Sequence, residues 1–412
     1  MKSEERWAYQ SKLSDIFRPG APIDSKQLFS GRQSQVDDVV NATFQPGQHV
    51  AMFGERGVGK TSLAKTLVDM LKAAGITPLS SGTINCDGTD DFSKLWHKVF
   101  RELQIVVRTE KAGFAQNPTE EVPINLDSLL PHKVSPDDVR VAMNQAIAIA
   151  AEKKRMIIIL DEVDRIKNRQ VTTLLSDTIK NLSDHLVPVT MILVGVADAV
   201  DQLISEHKSI ERSLVQVPMP RMSRDELNEI IQKGYFYATM TIADEARDEI
   251  ISLSNGLPHF THLLGLESGN CAITTGRTNV LRADVYSATK TAVHKSHSLL
   301  SAYHQATNSP QKNTLFEQVL LACAQAKKDD LGWFSGTSVV APLSRIMKKH
   351  YSLPYFSRHL NEFASTRRGP ILQKYGTHRQ HKYRFINPLM EAFAIIRALS
   401  CGMLKSAAVS GK

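Results

Sequence analysis

Apolar residues fall into two rhythms along this chain. His49–Phe53, Met156–Leu160 and Val189–Val194 are nearly unbroken apolar runs, the pattern of strands buried on both faces of a parallel sheet. Ser81–Cys86 predicts a second strand, and the segment Glu211–Val217 a fifth, with Arg212 just before it. Between the runs, apolar residues recur at helical spacing: Leu63, Leu67 and Leu71, then Phe92, Leu95, Trp96, Val99 and Phe100. A helix is predicted at about 137–153. Strand and helix alternating from about 29 to 220 predict one doubly wound α/β domain with a parallel sheet. Residues 1–28, mostly polar and broken by Pro19, Gly20 and Pro22, predict a lead-in arm. Residues 107–136, with Pro118, Pro123 and Pro131, predict an insertion or mobile loop.

Beyond 222 the rhythm is helical. Ser223 with Glu226 predicts a capping box, and Gly256-Leu257-Pro258-His259 breaks two helices. From Thr314 the pattern resets. Leu315, Phe316, Val319, Leu320 and Cys323 mark one helix; Val339, Val340, Leu343, Ile346 and Met347 a second; Leu353, Phe356, Leu360 and Phe363 a third. Residues 371–376 and 382–386 then predict a hairpin, with a final helix after Pro388. Three helices and a hairpin resemble a winged-helix domain.

The segment after the first apolar run carries the chemistry. Gly54, Glu55, Arg56, Gly57, Val58, Gly59, Lys60 and Thr61 fit G-x-x-x-x-G-K-[ST], followed by Ser62. The glycines admit backbone conformations in which successive N–H groups point at a phosphate. Lys60 brings a cation to the phosphates, the Thr61 hydroxyl can hold Mg²⁺, and the helix beginning here adds its positive end. The context of strand, glycine loop and helix is the one this motif needs. The second landmark is Asp161-Glu162 at the end of the 156–160 run, where α/β sheets place ligands. Asp161 is expected to orient Mg²⁺, and Glu162 to polarise an attacking water. Asp198, after the third run, is either a contact to that water or a plain cap. Arg212 is either a finger reaching a nucleotide on a neighbouring subunit or a surface arginine, with Lys208 its rival.

Together these landmarks resemble the AAA+ ATPases, and within them the initiator-like branch with its origin-recognition, transposition and switch-ATPase relatives. The pieces that carry the resemblance are Phe29-Ser30-Gly31-Arg32, the loop at 54–61, Asn85-Cys86-Asp87, Asp161-Glu162, Gly195-Val196-Ala197-Asp198 and Gly256-Leu257-Pro258. The resemblance implies ATP with Mg²⁺, hydrolysis, and a homo-oligomer with sites at subunit boundaries. The family usually has Asn, Thr or Ser where Asp198 stands, and a sensor arginine near His259. His259 could still contact phosphate when protonated. Both departures point to a slow, switch-like ATPase. The expected division is an arm at 1–28, a nucleotide domain at 29–221, a helical lid at 222–304, a winged helix at 305–400 and a tail at 401–412.

Charge adds a partner. The 412 residues carry +8, yet residues 345–384 alone hold ten basic side chains against one acid, Glu362, a balance of +9. That clustering points to DNA, read by Arg358 and Asn361 on the third helix with Tyr355 and His359 beside them, and gripped by Arg379, Lys382 and Arg384 of the hairpin. The alternative is a signalling switch, for example in phage defence, whose winged helix contacts a protein effector. Four scattered cysteines without a C-x-x-C pair, no apolar run of about 18 residues and no signal-peptide core lead us to expect a cytoplasmic protein without membrane contact.

Overall fold

The computed structural model describes residues 2–75, 78–110, 119–150, 155–196, 208–309, 314–329, 332–376 and 381–404. They belong to two compact units: residues 22–54 with 60–219, and residues 1–21 with 55–59 and 220–412. The chain opens in the second unit with α1 (Ser3–Ile16).

The sheet unit then runs α2 (Gln33–Phe44), β1 (His49–Phe53), α3 (Lys60–Ala73), β2 (Leu79–Asn85), α4 (Phe92–Glu102), β3 (Gln104–Glu110), β4 (Thr119–Asn125), α5 (Pro136–Ile149), β5 (Met156–Asp161), α6 (Arg169–Asp184), β6 (Val189–Gly195) and β7 (Leu214–Pro218). Five strands form one parallel sheet in the order β2-β5-β6-β1-β7. Every residue of β5 and β6 is buried, as their unbroken apolar runs require. α4 buries Phe92, Leu95, Trp96, Val99 and Phe100 as one face of the main core. The parallel register pairs Phe53 with Gly195 and Asn85 with Asp161. The strand ends that carry the glycine loop and the acid pair therefore lie along one carboxyl edge, with β6 between them.

Of the two expectations for 107–136, an insertion or a mobile loop, the loop is corrected over its described part. Residues 104–110 and 119–125 pair antiparallel as a two-stranded hairpin, with Val107 opposite Val122. Pro123 tolerates this place because a two-stranded hairpin has outer positions that need no N–H donor. A short 3-10 helix (Leu126–Leu129) follows. Ser135 then caps α5, its hydroxyl accepting from the Asp138 N–H.

The helical unit adds α7 (Arg224–Tyr237), the short β8 (Thr241–Ile242), α8 (Asp244–Ser254), α9 (Pro258–Thr274), the short β9 (Asn279–Val280), α10 (Arg282–Lys295) and α11 (His297–Thr307). Its C-terminal part is α12 (Phe316–Gln325), β10 (Phe334–Ser335), α13 (Val340–Met347), α14 (Leu353–Phe363), β11 (Leu372–Tyr375), β12 (Lys382–Phe385) and α15 (Leu389–Ser400). The expected hairpin is present, and β10 adds a third antiparallel strand in the order β10-β12-β11. The capping box at α7 is also present: Ser223 N–H donates to Glu226 at 2.8 Å, and Glu226 N–H to the Ser223 hydroxyl at 3.2 Å.

The polar lead-in arm is corrected too, since α1 packs on α7 and α9. Leu13, Ile16 and Phe17 are buried, Phe17 beside Tyr235 with ring centroids 5.1 Å apart. A Cβ on Gly234 or Gly265 would collide with the Phe17 ring, so these two glycines make the niche it fills. Burying that ring contributes roughly 1.5–3 kcal/mol.

Candidate nucleotide-binding site

The sheet unit contributes Gly54, Lys60, Thr61, Ser62, Asp161 and Glu162. α3 starts at Lys60, so the motif's lysine and threonine occupy its first turn. Lys60 Nζ donates to the Gly54 carbonyl at 2.9 Å. The Ser62 hydroxyl accepts from the Ile23 N–H at 3.1 Å, which ties the segment leading to Phe29-Ser30-Gly31-Arg32 to the start of α3. Phe29 and Arg32 are buried, and Arg32 takes a left-handed conformation just before α2. In the other unit, Glu55–Gly59 include Gly57 and Gly59 at φ 84° and 97°, values that side-chain-bearing residues avoid.

Asp161 is buried. One oxygen, Oδ1, accepts from the Glu162 N–H at 2.8 Å, while Oδ2 is buried with no hydrogen-bond partner among the described residues. Burial raises its pKa, opposed by the Thr61 hydroxyl and the Lys60 charge. A carboxylate oxygen left unsatisfied beside a hydroxyl and an ammonium is costly unless something cationic takes it. That donor set fits Mg²⁺ held through Thr61 and Asp161, and such an ion supplies charge neutralisation for phosphate oxygens.

Glu162 sits in a left-handed turn at φ 57°, and its carboxylate meets Arg165 Nη1 at 2.9 Å with both side chains about half exposed. This arginine was invisible to motif reading. Beside the acid pair, Lys98 Nζ reaches the Asn85 carbonyl and the buried Asp90 at 3.1 Å, and Asp87 at 3.4 Å. Hydrogen bonds from Thr89, with Lys98 behind them, hold Asp87 down to about 2. Burial pushes the Cys86 thiol up to about 12, an inert core thiol.

Arg212 lies in a short 3-10 helix (Lys208–Ser213) ahead of β7. Its side chain is 82% exposed, with Asp184 at 3.9 Å. Asp198 lies outside the described residues, as does the side chain of Lys208. His259, at the start of α9, shares a hydrogen bond between Nδ1 and the Pro19 carbonyl at 2.9 Å. Burial lowers its pKa. Its surroundings favour the neutral form of the ring.

On the C-terminal elements, Arg358 is well exposed on α14 and pairs with Glu362 at 2.8 Å. Asn361 Oδ1 accepts from Lys374 at 2.8 Å. Lys382 meets Asp329 at 3.2 Å, and Arg384 stacks over Trp333 at 4.5 Å. Tyr355 is exposed, while His359 turns inward onto Phe316. Arg379 lies outside the described residues.

Residues 44–203 match the family described as AAA domain. No curated protein matches this chain. Among solved structures, the chain is similar to the Walker-type ATPase PABY2304 of Pyrococcus abyssi at 15% identity, covering 92% of this chain and 99% of that one, with a TM-score of 0.51. It is also similar to the ORC2 protein of Aeropyrum pernix (13% identity, 96% and 98% covered, TM-score 0.49) and to the ORC1 protein of the same organism in complex with DNA (14%, 97% and 98%, 0.48). Residues 44–203 thus match an AAA domain, and the fold is similar to that of a Walker-type ATPase, in line with the resemblance read from the sequence. Among the described residues no helix is long and apolar enough to cross a membrane.

Proposed function

We propose that this chain binds and slowly hydrolyses ATP with Mg²⁺, assembles into a homo-oligomer of the initiator-like kind, and binds DNA through a winged helix formed by α12–α15 and the β10-β12-β11 sheet. One observation carries the reading: the buried, unpartnered Oδ2 of Asp161 beside the Thr61 hydroxyl and the Lys60 ammonium. In this reading Lys60 and the loop N–H groups cradle phosphate, Thr61 and Asp161 hold the metal, and Glu162 orients water. The exposed Arg212 reaches a neighbouring subunit's nucleotide. The Glu162–Arg165 pair fits slow turnover, because the base must leave its arginine to act.

Wild-type protein should bind fluorescent mant-ATP with Mg²⁺, bind it more weakly in EDTA, and lose it in Lys60→Ala. Wild type that binds no nucleotide would overturn the reading. Particle size and DNA binding, both measured with and without ATP, test the rest. ATP should strengthen DNA binding, since an oligomer presents several basic domains at high effective concentration.

A second reading, the signalling switch with a protein effector, is favoured by the chain's own hold on its basic residues. Arg358, Arg368, Lys374 and Lys382 all have partners within the C-terminal elements. Full-length protein that ignores DNA at low salt, with or without ATP, would decide for it.

A further inference from the structure

The helical unit contains a largely buried chain of four alternating charges with one end in the phosphate loop. Arg221 Nε donates to Glu55 Oε2 at 2.8 Å, and its Nη2 donates to Glu391 Oε2 at 2.8 Å. Glu391, in α15, also meets Lys328 Nζ at 2.9 Å, and its Oε1 accepts from Asn255 Nδ2 at 2.7 Å. Glu391 is 2% exposed and Lys328 10%. Lys328 is held further by the carbonyls of Cys323, Ala324 and Ala326 at 3.0–3.1 Å. Burial opposes the charge on Arg221, but Glu391 and Glu55 more than offset it.

Two packing contacts follow the same route. A Cβ on Gly332 would strike Glu55 Oε1, and one on Gly57 would meet Leu389 Cδ2 at 2.8 Å. The residues just before β10 and the first turn of α15 therefore lie directly against the loop residues Glu55 and Gly57. No site motif includes Arg221, Lys328 or Glu391.

We propose that Arg221, Glu391 and Lys328 are positioning residues for nucleotide: a balanced charge relay that holds Glu55 and sets the potential at the phosphate loop from the C-terminal elements. The inference rests on the nucleotide reading above. Two acids and two bases cancel within the relay, so neutralising one member leaves a buried charge of known sign next to the loop. Glu391→Gln leaves an excess cation and favours an anionic ligand. Lys328→Gln leaves an excess anion and opposes it. A buried unit charge about 10 Å from bound phosphate would change affinity by roughly three- to tenfold. A merely structural pair would behave differently, since both variants break the same contact and would weaken binding alike.

The test is mant-ATP binding with Mg²⁺ to full-length protein. Glu391→Gln should bind about three- to tenfold tighter and Lys328→Gln weaker by a similar factor. The double variant, neutral again, should return within about twofold of wild type. If a single variant does not fold, the double decides, because it leaves no uncompensated buried charge, whereas removing one partner does. Its wild-type-like affinity would support the relay, and its loss of binding would overturn it. Single variants that shift in the same direction, or not at all, would overturn the relay alone, provided wild type binds and Lys60→Ala does not. Wild type that binds no mant-ATP would overturn the nucleotide reading and the relay with it.

Discussion

The carboxyl edge of the sheet and the basic C-terminal elements treat charge in opposite ways. At the sheet edge Asp161 keeps a buried oxygen, Oδ2, with no hydrogen-bond partner among the described residues, and Arg212 extends into solvent. On the C-terminal elements most described cations already have work inside the fold. Arg368 is the clearest case: it pairs with Glu362 at 2.8 Å, donates to the Ala306 and Asn308 carbonyls at 2.9 Å, and lies 3.5 Å from the Phe316 ring centre. The first region keeps a buried carboxylate oxygen that a ligand would fill, while in the second Arg358, Arg368, Lys374 and Lys382 are already paired. A count of charges therefore overstates what the basic region offers to a polyanion. Unsatisfied buried groups are the sharper guide to a site.

The largest expected effects lie at the sheet edge. Arg212→Ala should lower ATPase turnover by about 10³–10⁵ while leaving nucleotide binding intact. Mixing it with Lys60→Ala protein should restore part of the activity, since one boundary then pairs two intact halves. Unchanged hydrolysis in Arg212→Ala alone would remove that residue from the comparison. Glu162→Gln should retain binding and lose about 10²–10⁴ in turnover, and hydrolysis equal to wild type would reject it as the base.

Acid tests the two units on equal terms. His49 in β1 is buried, and its Nδ1 accepts from the Met191 N–H at 3.0 Å, which the protonated ring cannot do. His262 in α9 is buried beside Phe17. Burial lowers both, each to about 4, with a like-charge contribution from His259 and Arg18 at His262. Between about pH 6.5 and 4 the unfolded chain takes up protons that the folded one refuses. Stability present at neutral pH is therefore lost as pH falls through that window, by up to about 3 kcal/mol per histidine. Urea midpoints between pH 7 and 4.5 should fall, and His49→Gln should reduce the slope; a flat profile would contradict it.

The smallest effects belong to the basic region. With about five phosphate contacts, log affinity for DNA should fall with log salt at a slope near roughly −4.5. Arg358→Ala should flatten that slope by about 0.9. Arg368→Ala should leave the slope unchanged and lower the melting temperature instead, since it removes a cation bonded into the fold. A flattened slope in Arg368→Ala would break the comparison between the regions.

The sequence by itself determined much of this architecture, wherever signals were local. The unbroken runs at β5 and β6 fitted double-sided strands, and the glycine loop was legible from its eight residues and their flanking strand and helix. Ser223 with Glu226 announced its helix, and the spacing of Phe356, Leu360 and Phe363 announced α14. Signals that depend on distant partners were not legible. The 104–125 segment looked like a loop because its strands gain stability only from each other. α1 looked like an arm because only a few side chains dock it, into a niche opened by glycines more than 200 residues away. Tertiary structure alone decided that His259 turns to Pro19 and that Arg221 joins Glu55 to Glu391. Each of these is an electrostatic pairing between residues with no fixed spacing along the chain. Only folding could bring the partners within hydrogen-bond reach and out of the water that would otherwise screen them.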